Sequence, residues 1–311
     1  MNGKRASRFA RVPVLNKEGK PYRPHMAEGQ KAILSFLERN RYATTLDIHA
    51  FIGGDLSTLR KNIRLLRGDN VRYIKQAEQS VVERNLSKPV IYELDTPGID
   101  YLRQNGSIIP DRKYVRLFDH AALASHGTGS IEAGIKVTAH ARLVTWLDIL
   151  LSKNIPQQTR QNQERGIFAA YELSGKQLEK TVYADTPPFG IELTTERKRF
   201  RFFHGIEADT GSEIIESNNP SVTFIKDKFA SYLAIENDEL YTSHFGFPPR
   251  SFFVLFLTTS KIRMQNMIRV LEDMGGSKII LFAYQKEDGK PGYLFKEDWL
   301  RAGHAPINLA T

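Results

Sequence analysis

The sequence contains no cysteine. Without thiols the chain can form neither a disulfide framework nor a thiolate-bound zinc site, so its fold must rest on packing. No apolar run approaches the roughly 18 residues that span a bilayer, and the basic N-terminus lacks the apolar segment and cleavage site of a signal peptide. From these absences we expect a cytoplasmic protein that makes no membrane contact.

Two further features are missing. No internal repeat is visible, and no Gly-x-x-x-x-Gly-Lys-Ser/Thr stretch is present to cradle a nucleotide phosphate. The Gly-x-Gly at residues 127–129 follows a predicted helix, whereas a dinucleotide-binding motif would follow a strand. A nucleotide-binding module is therefore a distant third interpretation of the second half of the chain.

The positive charge is concentrated in the first third of the chain. Residues 1–116 carry 22 Lys and Arg against 12 Asp and Glu, whereas residues 117–311 carry 22 against 23. A length of 311 residues suggests about two domains. A basic first third joined to a near-neutral remainder indicates that one end binds a polyanion and the other end does something else.

Residues 1–26 hold seven cationic side chains, one acid and three prolines, which predicts a flexible basic arm. A helical apolar period begins at residue 27. A short helix at 45–52, a sharp turn at Gly53 and a helix at 56–67 then follow. This succession predicts a helix-turn-helix.

Two β-like runs, residues 71–75 and 89–94, and a helix at 97–104 complete the pattern of a winged helix over residues 27–105. The third helix and the wing are rich in polar and basic side chains, which indicates DNA contact. The predicted DNA-binding residues are Ser57, Thr58, Arg60, Lys61, Arg64, Arg72, Lys75 and Lys88. The alternative is that these charged faces are only solvated.

A linker at 106–116 leads into residues 117–311, where strand and helix patterns alternate. We predict a helix at 117–125 that breaks at residues 127–129, followed by helical chain as far as Leu151. Alternation of buried strands with amphipathic helices predicts an α/β domain with a mixed sheet and helices on its faces. The predicted strands are 180–185 and 189–193, which we expect to pair with each other, followed by 198–209, 252–257 and 278–284. The predicted helices are 221–235 and 261–274.

Three acids, Asp185, Glu207 and Asp209, stand at the ends of predicted strands. Residues two apart on a strand share a face, so Glu207 and Asp209 should project together. Hard cations such as Mg²⁺ or Mn²⁺ take carboxylate ligands and stabilise the charge that develops in phosphodiester hydrolysis. We therefore take the three acids as candidate metal ligands and, together with Lys228 on the next helix, as candidate catalytic residues. Ordinary strand-end acids are the alternative.

Six short stretches, taken in order, resemble the replication-relaxation family of plasmid and mobile-element proteins, which includes relaxases of the MobC type. One of them is Ile-Glu-Ala-Asp-Thr-Gly-Ser-Glu at 206–213. The others are residues 90–102, 118–120, 183–189, 228–232 and 252–259.

The resemblance implies a winged helix followed by a domain similar to the PD-(D/E)xK nucleases. In that pattern Asp185 matches the lone Asp and Glu207 matches the second acid, whereas Asp209 stands where a lysine is expected. Either Lys228 has taken over the role of that lysine or cleavage has been lost. Glu132 or Asp119 would supply the helix-borne acid of such nucleases.

Two hypotheses of function remain open. In the first, a DNA-binding protein of a plasmid, phage or mobile element recognises an origin-like site in double-stranded DNA and nicks or processes it with Mg²⁺ or Mn²⁺. In the second, a non-catalytic replication initiator or transcriptional regulator binds DNA through the winged helix. Its α/β domain then serves for homodimerisation or for docking other replication or mobilisation proteins.

Overall fold

A computed structural model of the chain describes residues 26–68, 72–77, 90–106, 118–152, 166–211, 213–215, 225–286, 290 and 292–311. The chain divides into two compact units, residues 1–114 and 115–311. The predicted basic arm before Met26 lies outside the described residues, and so does Lys88. Within the described ranges, no helix is long and apolar enough to cross a bilayer.

The first unit combines helices with a small antiparallel sheet whose strands lie in the order β1-β3-β2. The predicted helices at 45–52 and 56–67 are confirmed as α2 and α3. The predicted strands are shorter than expected. The elements of this unit are α1 (Glu28–Asn40), β1 (Ala43–Thr44), α2 (Thr45–Ile52), α3 (Leu56–Leu66), β2 (Ile74–Gln76), β3 (Ile91–Leu94) and α4 (Thr96–Gln104).

Helix α3 is fixed at its start by Asp55, whose carboxylate accepts the Thr58 N–H at 2.7 Å. The turn before it needs glycine, because Gly53 has a φ of 74° in the left-handed region. An apolar row at helical spacing, including Leu59 and Ile63, is buried in the core of the first unit. The opposite face of α3 is consequently exposed.

The second unit contains a seven-stranded sheet in the order β12-β11-β10-β9-β8-β7-β4 and a separate hairpin of β5 and β6. Its elements up to β8 are α5 (Phe118–Lys136), β4 (Ala141–Val144), α6 (Trp146–Leu151), β5 (Ile167–Leu173), β6 (Lys176–Val182), β7 (Phe189–Thr194) and β8 (Arg199–Asp209). The later ones are α7 (Ile225–Asn237), α8 (Leu240–Phe245), β9 (Phe252–Thr258), α9 (Lys261–Asp273), β10 (Ile280–Tyr284), α10 (Tyr293–Lys296), β11 (Asp298–Arg301) and β12 (His304–Asn308).

The large sheet is mixed, as predicted. β7 runs antiparallel to both of its neighbours, β4 and β8, whereas β8, β9 and β10 are parallel. Apolar side chains of α7 and α9 pack on one face, and those of α5 and α10 pack on the other. The central strands are therefore covered on both sides, which explains the continuous apolar run of β9.

The predicted helix break at residues 127–129 is wrong, because α5 runs unbroken through them. Gly127 instead allows the helix to pack closely on the sheet. A Cβ atom at Gly127 would lie 2.9 Å from Leu257 Cδ2 and 3.0 Å from Ile206 Cδ1. The predicted helical chain to Leu151 is also interrupted, since β4 lies between α5 and α6.

The predicted pairing of strands 180–185 and 189–193 is wrong as well. β6 ends at Val182 and pairs with β5, whereas β7 pairs with β4 and β8. Asp185 therefore lies in the connection between β6 and β7 and not at the end of a strand. This connection lies against β8, where the Thr186 hydroxyl accepts the Ile206 N–H at 3.0 Å.

Candidate active site

Glu207 lies on β8, in the middle of the sheet, and its side chain is almost fully buried. The Tyr232 hydroxyl donates to its Oε1 at 2.5 Å, and Lys228 Nζ lies 3.4 Å from its Oε2. Both partners come from α7, which packs on this face of the sheet. Burial raises the pKa of Glu207 to about 7 against the pull of Lys228. The carboxyl group can therefore gain or lose a proton near neutral pH.

Lys228 occupies the first turns of α7 and contacts two acids. Its Nζ lies 3.4 Å from Glu207 and 3.0 Å from Glu213 Oε2. Burial alone would lower the pKa of Lys228, but Glu207, Glu213 and Asp185 together raise it well above its ordinary value. The lysine is thus held as an ammonium ion beside a glutamate that burial pushes toward its neutral form.

Asp185 reaches the same place from the β6–β7 connection. Its Oδ2 accepts the Ala208 N–H of β8 at 2.8 Å. Part of the residue stays exposed, yet surrounding atoms desolvate the carboxylate and raise its pKa. Lys228 and His120 of α5 act in the opposite direction. The structure therefore brings together three of the predicted residues, Asp185, Glu207 and Lys228, which we call the acid–lysine cluster.

Asp209 shares a face with Glu207, as predicted from the strand period, but its surroundings differ. Arg263 of α9 donates from Nε to Oδ2 at 2.5 Å and from Nη2 to Oδ1 at 2.7 Å. The Thr258 hydroxyl donates to Oδ2 at 2.9 Å. Both carboxylate oxygens are therefore engaged, and Asp209 stands apart from the acid–lysine cluster as half of a buried ion pair.

The donor set of the cluster suits a hard divalent cation. Mg²⁺ and Mn²⁺ prefer oxygen, and Mg²⁺ is commonly held by one or two carboxylates together with water and substrate phosphate. Asp185 and Glu207 supply such a pair. Among the residues that the structure describes, no group of three His, Asp or Glu side chains is arranged to hold a metal. A cation would therefore depend on these two acids, and it would compete with Lys228 for Glu207.

The remaining acids predicted for this site lie on α5. The side chain of Glu132 is buried. The side chain of Asp119 lies outside the description. His120, on the same helix, acts electrostatically on Asp185 and lowers its pKa against the effect of burial. The electrostatics therefore connect His120 of α5 to the cluster.

The predicted DNA-binding residues of α3 are exposed: Ser57, Thr58, Arg60, Lys61 and Arg64. Across the described part of the chain, Arg60, Lys61 and Arg64 have no acidic partner within ion-pair distance. The sheet is different, since Arg72 pairs with Asp95 and Lys75 lies 3.4 Å from Glu93. Among the predicted DNA-binding residues that the structure describes, the cations without an acidic partner therefore lie on α3.

Sequence reasoning missed Tyr232 and Arg263 as the partners of the two acids on β8. Tyr232 fits the inward apolar row of its helix, and Arg263 lies 54 residues after Asp209, so no local pattern connects them to β8. A buried acid always needs a partner, and that is the signal that could have prompted a search for a cation opposite Asp209. Comparison with models of protein families, with curated proteins and with solved structures finds no match to this chain.

Proposed function

We propose that the protein binds double-stranded DNA through its first unit and hydrolyses a phosphodiester bond at the acid–lysine cluster of its second unit. The observation that carries this proposal is the contact of Lys228 with buried Glu207 at 3.4 Å, next to Asp185. In keeping with the family resemblance, the substrate would be an origin-like site of a plasmid, phage or mobile element.

The surface of α3 supports DNA binding. Three exposed cations, Arg60, Lys61 and Arg64, follow one another on a helix that carries no acid. Together with the three-stranded sheet, the helices have the succession of a winged helix, in which the third helix enters the major groove. Cations without acidic partners would neutralise phosphates and release counterions, so binding should depend strongly on salt.

The order of elements supports the nuclease part of the proposal. Helix α5, the antiparallel strands β4, β7 and β8, helix α7 and the parallel strand β9 come in this order along the chain, with α6 and the β5–β6 hairpin between β4 and β7 and α8 before β9. Asp185 comes just before the middle antiparallel strand and Glu207 lies on the last one. This placement agrees with the lone Asp and the second acid that the resemblance to PD-(D/E)xK nucleases implies.

Asp185 and Glu207 would hold the Mg²⁺ or Mn²⁺ ion, which would supply charge stabilisation and orient water. Tyr232 holds Oε1 of Glu207 and so fixes the orientation of the carboxyl group. Lys228 is positioned to pair with an oxygen of the scissile phosphate in place of the missing lysine at position 209. Asp209, which is paired with Arg263, would neither hold the metal ion nor contact the phosphate.

The test begins with duplexes that the full chain selects from a library of randomised sequence. A selected duplex is placed in a supercoiled plasmid, and relaxation is followed with Mg²⁺ or Mn²⁺. We expect Asp185→Asn and Glu207→Gln to lose at least about a hundredfold in cleavage rate while binding persists. Glu196→Gln, an exposed acid in the β7–β8 turn, is the matched control. Wild-type rates in the two cluster variants would contradict the proposal.

The same duplex tests the first unit. Arg60→Gln, Lys61→Gln and Arg64→Gln should each weaken binding and lower the salt slope by about one. Arg103→Gln, an exposed cation on α4, is the matched control and should leave the slope unchanged. If the three α3 variants bind like wild type, this surface does not contact the DNA.

One observation favours a second candidate function. Lys228 and Arg263 already neutralise the two acids of β8, as expected if cleavage has been lost and the scaffold kept. The protein would then be a non-catalytic initiator or regulator whose second unit serves dimerisation or docking. Binding that is sensitive to the α3 variants, with no plasmid relaxation under either metal, would favour this function.

A further inference from the structure

A second charged group lies at the other end of β8. Glu192 of β7 is only 3% exposed and is surrounded by three arginines. Arg201 Nη2 lies 2.6 Å from its Oε2, Arg142 Nε lies 3.2 Å from its Oε1, and Arg199 Nε lies 3.7 Å from Oε1. The group, which we call the arginine cluster, therefore carries two more positive charges than negative ones.

The strand register builds this arrangement. Arg142 lies directly opposite Glu192 on β4, and Arg201 lies directly opposite it on β8. Arg199, two residues from Arg201, shares its face. Because Glu192 is buried while the arginine side chains are 41% to 67% exposed, one acid orients three guanidinium groups toward solvent. The attraction of Arg201 and Arg142 keeps the pKa of Glu192 below its ordinary value although burial opposes this.

The guanidinium groups keep donors for a ligand. Arg142 donates to Glu192 from Nε, and Arg201 donates from Nε and Nη2. Within the described ranges, no other acceptor takes their remaining N–H groups, and Arg199 makes only the longer ion pair. Planar guanidinium forks bind phosphate oxygens in pairs. An acceptor with several oxygens and negative charge is the ligand that this surface fits.

A cavity adjoins the cluster and provides room for such a group. It has a volume of about 240 Å³, and Arg199, Arg201 and Glu192 form its polar side. Phe203 and Phe247, stacked with ring centroids 3.8 Å apart, form part of its apolar side. One water occupies about 30 Å³ of liquid, so the space admits a phosphate and part of an attached sugar.

The arginine cluster and the acid–lysine cluster share one face of the same strand. Arg201 and Glu207 are six residues apart, which corresponds to about 20 Å along β8. B-DNA rises 3.4 Å per base pair, so the same distance spans about six base pairs. We infer that the arginine cluster is a subsite for a backbone phosphate of duplex DNA about six base pairs from the bond at the acid–lysine cluster. This inference rests on the proposed function.

The test measures binding of the selected duplex to the full chain without divalent metal. Its result is therefore independent of whether the protein cleaves DNA. Arg142→Gln and Arg199→Gln remove exposed cations while Arg201 still neutralises Glu192. The double variant should therefore fold, which its urea midpoint checks. We expect its salt slope to fall by about two relative to wild type. Lys176→Gln, an exposed cation in the β5–β6 hairpin, should leave the slope unchanged.

Duplex length and competitors sharpen the test. A duplex that ends three base pairs from the cleaved bond should bind wild type and double variant equally, because it cannot reach the arginine cluster. An unchanged slope with the long duplex would overturn the inference while leaving the proposed function intact. Inorganic phosphate could bind to the arginine cluster of the wild type and not to that of the double variant. If the salt slope of duplex binding were nevertheless the same in both proteins, the inference would also be overturned. If the chain binds no duplex, both proposals fail.

Discussion

Glu207 and Asp209 lie on the same face of one strand, but their carboxyl groups have different partners. Arg263 and Thr258 donate hydrogen bonds to Asp209, and together they occupy both of its carboxylate oxygens. Glu207 is held by a tyrosine hydroxyl and a lysine at 3.4 Å, and burial raises its pKa to about 7. Asp209 is thus half of a buried ion pair, whereas Glu207 can change its charge near neutral pH.

The difference shows what the departure at position 209 means. In the nuclease pattern that the chain resembles, this position would carry the lysine of the site. Here it carries an acid that α9 neutralises, and the lysine beside Glu207 comes from α7 instead. Under the proposed function the cation of the site would therefore lie on a helix, and the acid on the strand is compensated by Arg263.

The largest expected effect comes from breaking the Asp209–Arg263 pair. In Arg263→Met the aspartate, only 2% exposed, would keep Thr258 as its main partner. Leaving a charge buried without its ion-pair partner typically costs about 3–5 kcal/mol of unfolding free energy. Urea unfolding measures this cost. Tryptophan fluorescence reports on the second unit alone, because Trp146 and Trp299 are the two tryptophans of the chain.

Arg269→Met is the matched control for this prediction. Arg269 lies on the same helix, is 60% exposed and forms a 3.7 Å pair with exposed Asp273, so its loss should cost less than about 0.5 kcal/mol. The double variant Asp209→Asn/Arg263→Met should recover part of the stability, because it removes the unpaired charge. Equal losses in both methionine variants would show that Asp209 does not depend on its arginine.

A slightly smaller effect concerns the pH dependence that Glu207 should impose. Its pKa is about 7 in the folded protein against an ordinary 4.5, so between these values the folded state binds a proton that the unfolded state has released. The unfolding free energy should consequently fall as the pH rises from 4.5 to 7 and should level off above 7. Because the unfolding free energy falls by about 1.4 kcal/mol for each pH unit in this interval, the total fall is about 3 kcal/mol.

Glu207→Gln should remove most of this pH dependence. Subtracting its plot of unfolding free energy against pH from that of wild type cancels the contributions of the other titrating groups. Asp185 interacts with Glu207 and its pKa is also raised, so the difference describes the pair as a whole. A flat difference curve for Glu207→Gln would mean that Glu207 is charged throughout.

Much of this arrangement could be predicted from local pattern. A strand period of two puts Glu207 and Asp209 on one face, and helical spacing exposes the cations of α3. The contact of Lys228 with Glu207 agrees with the suggestion of a substitute lysine, whose catalytic role remains a prediction. What could not be predicted is how a helix is rotated over the sheet. The rotation of α9 brings Arg263 to Asp209. On the opposite face, the packing of α5 brings Gly127 close to the sheet, at a position where the sequence predicted a helix break.

The smallest effect is expected from Tyr232→Phe, which removes the hydroxyl that donates to Glu207. A hydrogen bond to a charged group contributes about 1.5–3 kcal/mol and one between neutral groups about 1 kcal/mol. The variant should therefore lose more stability at pH 8, where Glu207 is charged, than at pH 5. Losing this bond also raises the pKa of Glu207 further, since the hydroxyl favours the charged form.

Tyr241→Phe is the control that isolates this pH dependence. Tyr241 is as buried as Tyr232, but its hydroxyl accepts the backbone N–H of Arg250 at 2.9 Å, a bond between neutral groups. Its loss should cost about 0.5–1.5 kcal/mol at pH 5 and pH 8 alike. If Tyr232→Phe shows the same loss at both pH values, the tyrosine bonds a carboxyl group that does not titrate in this range.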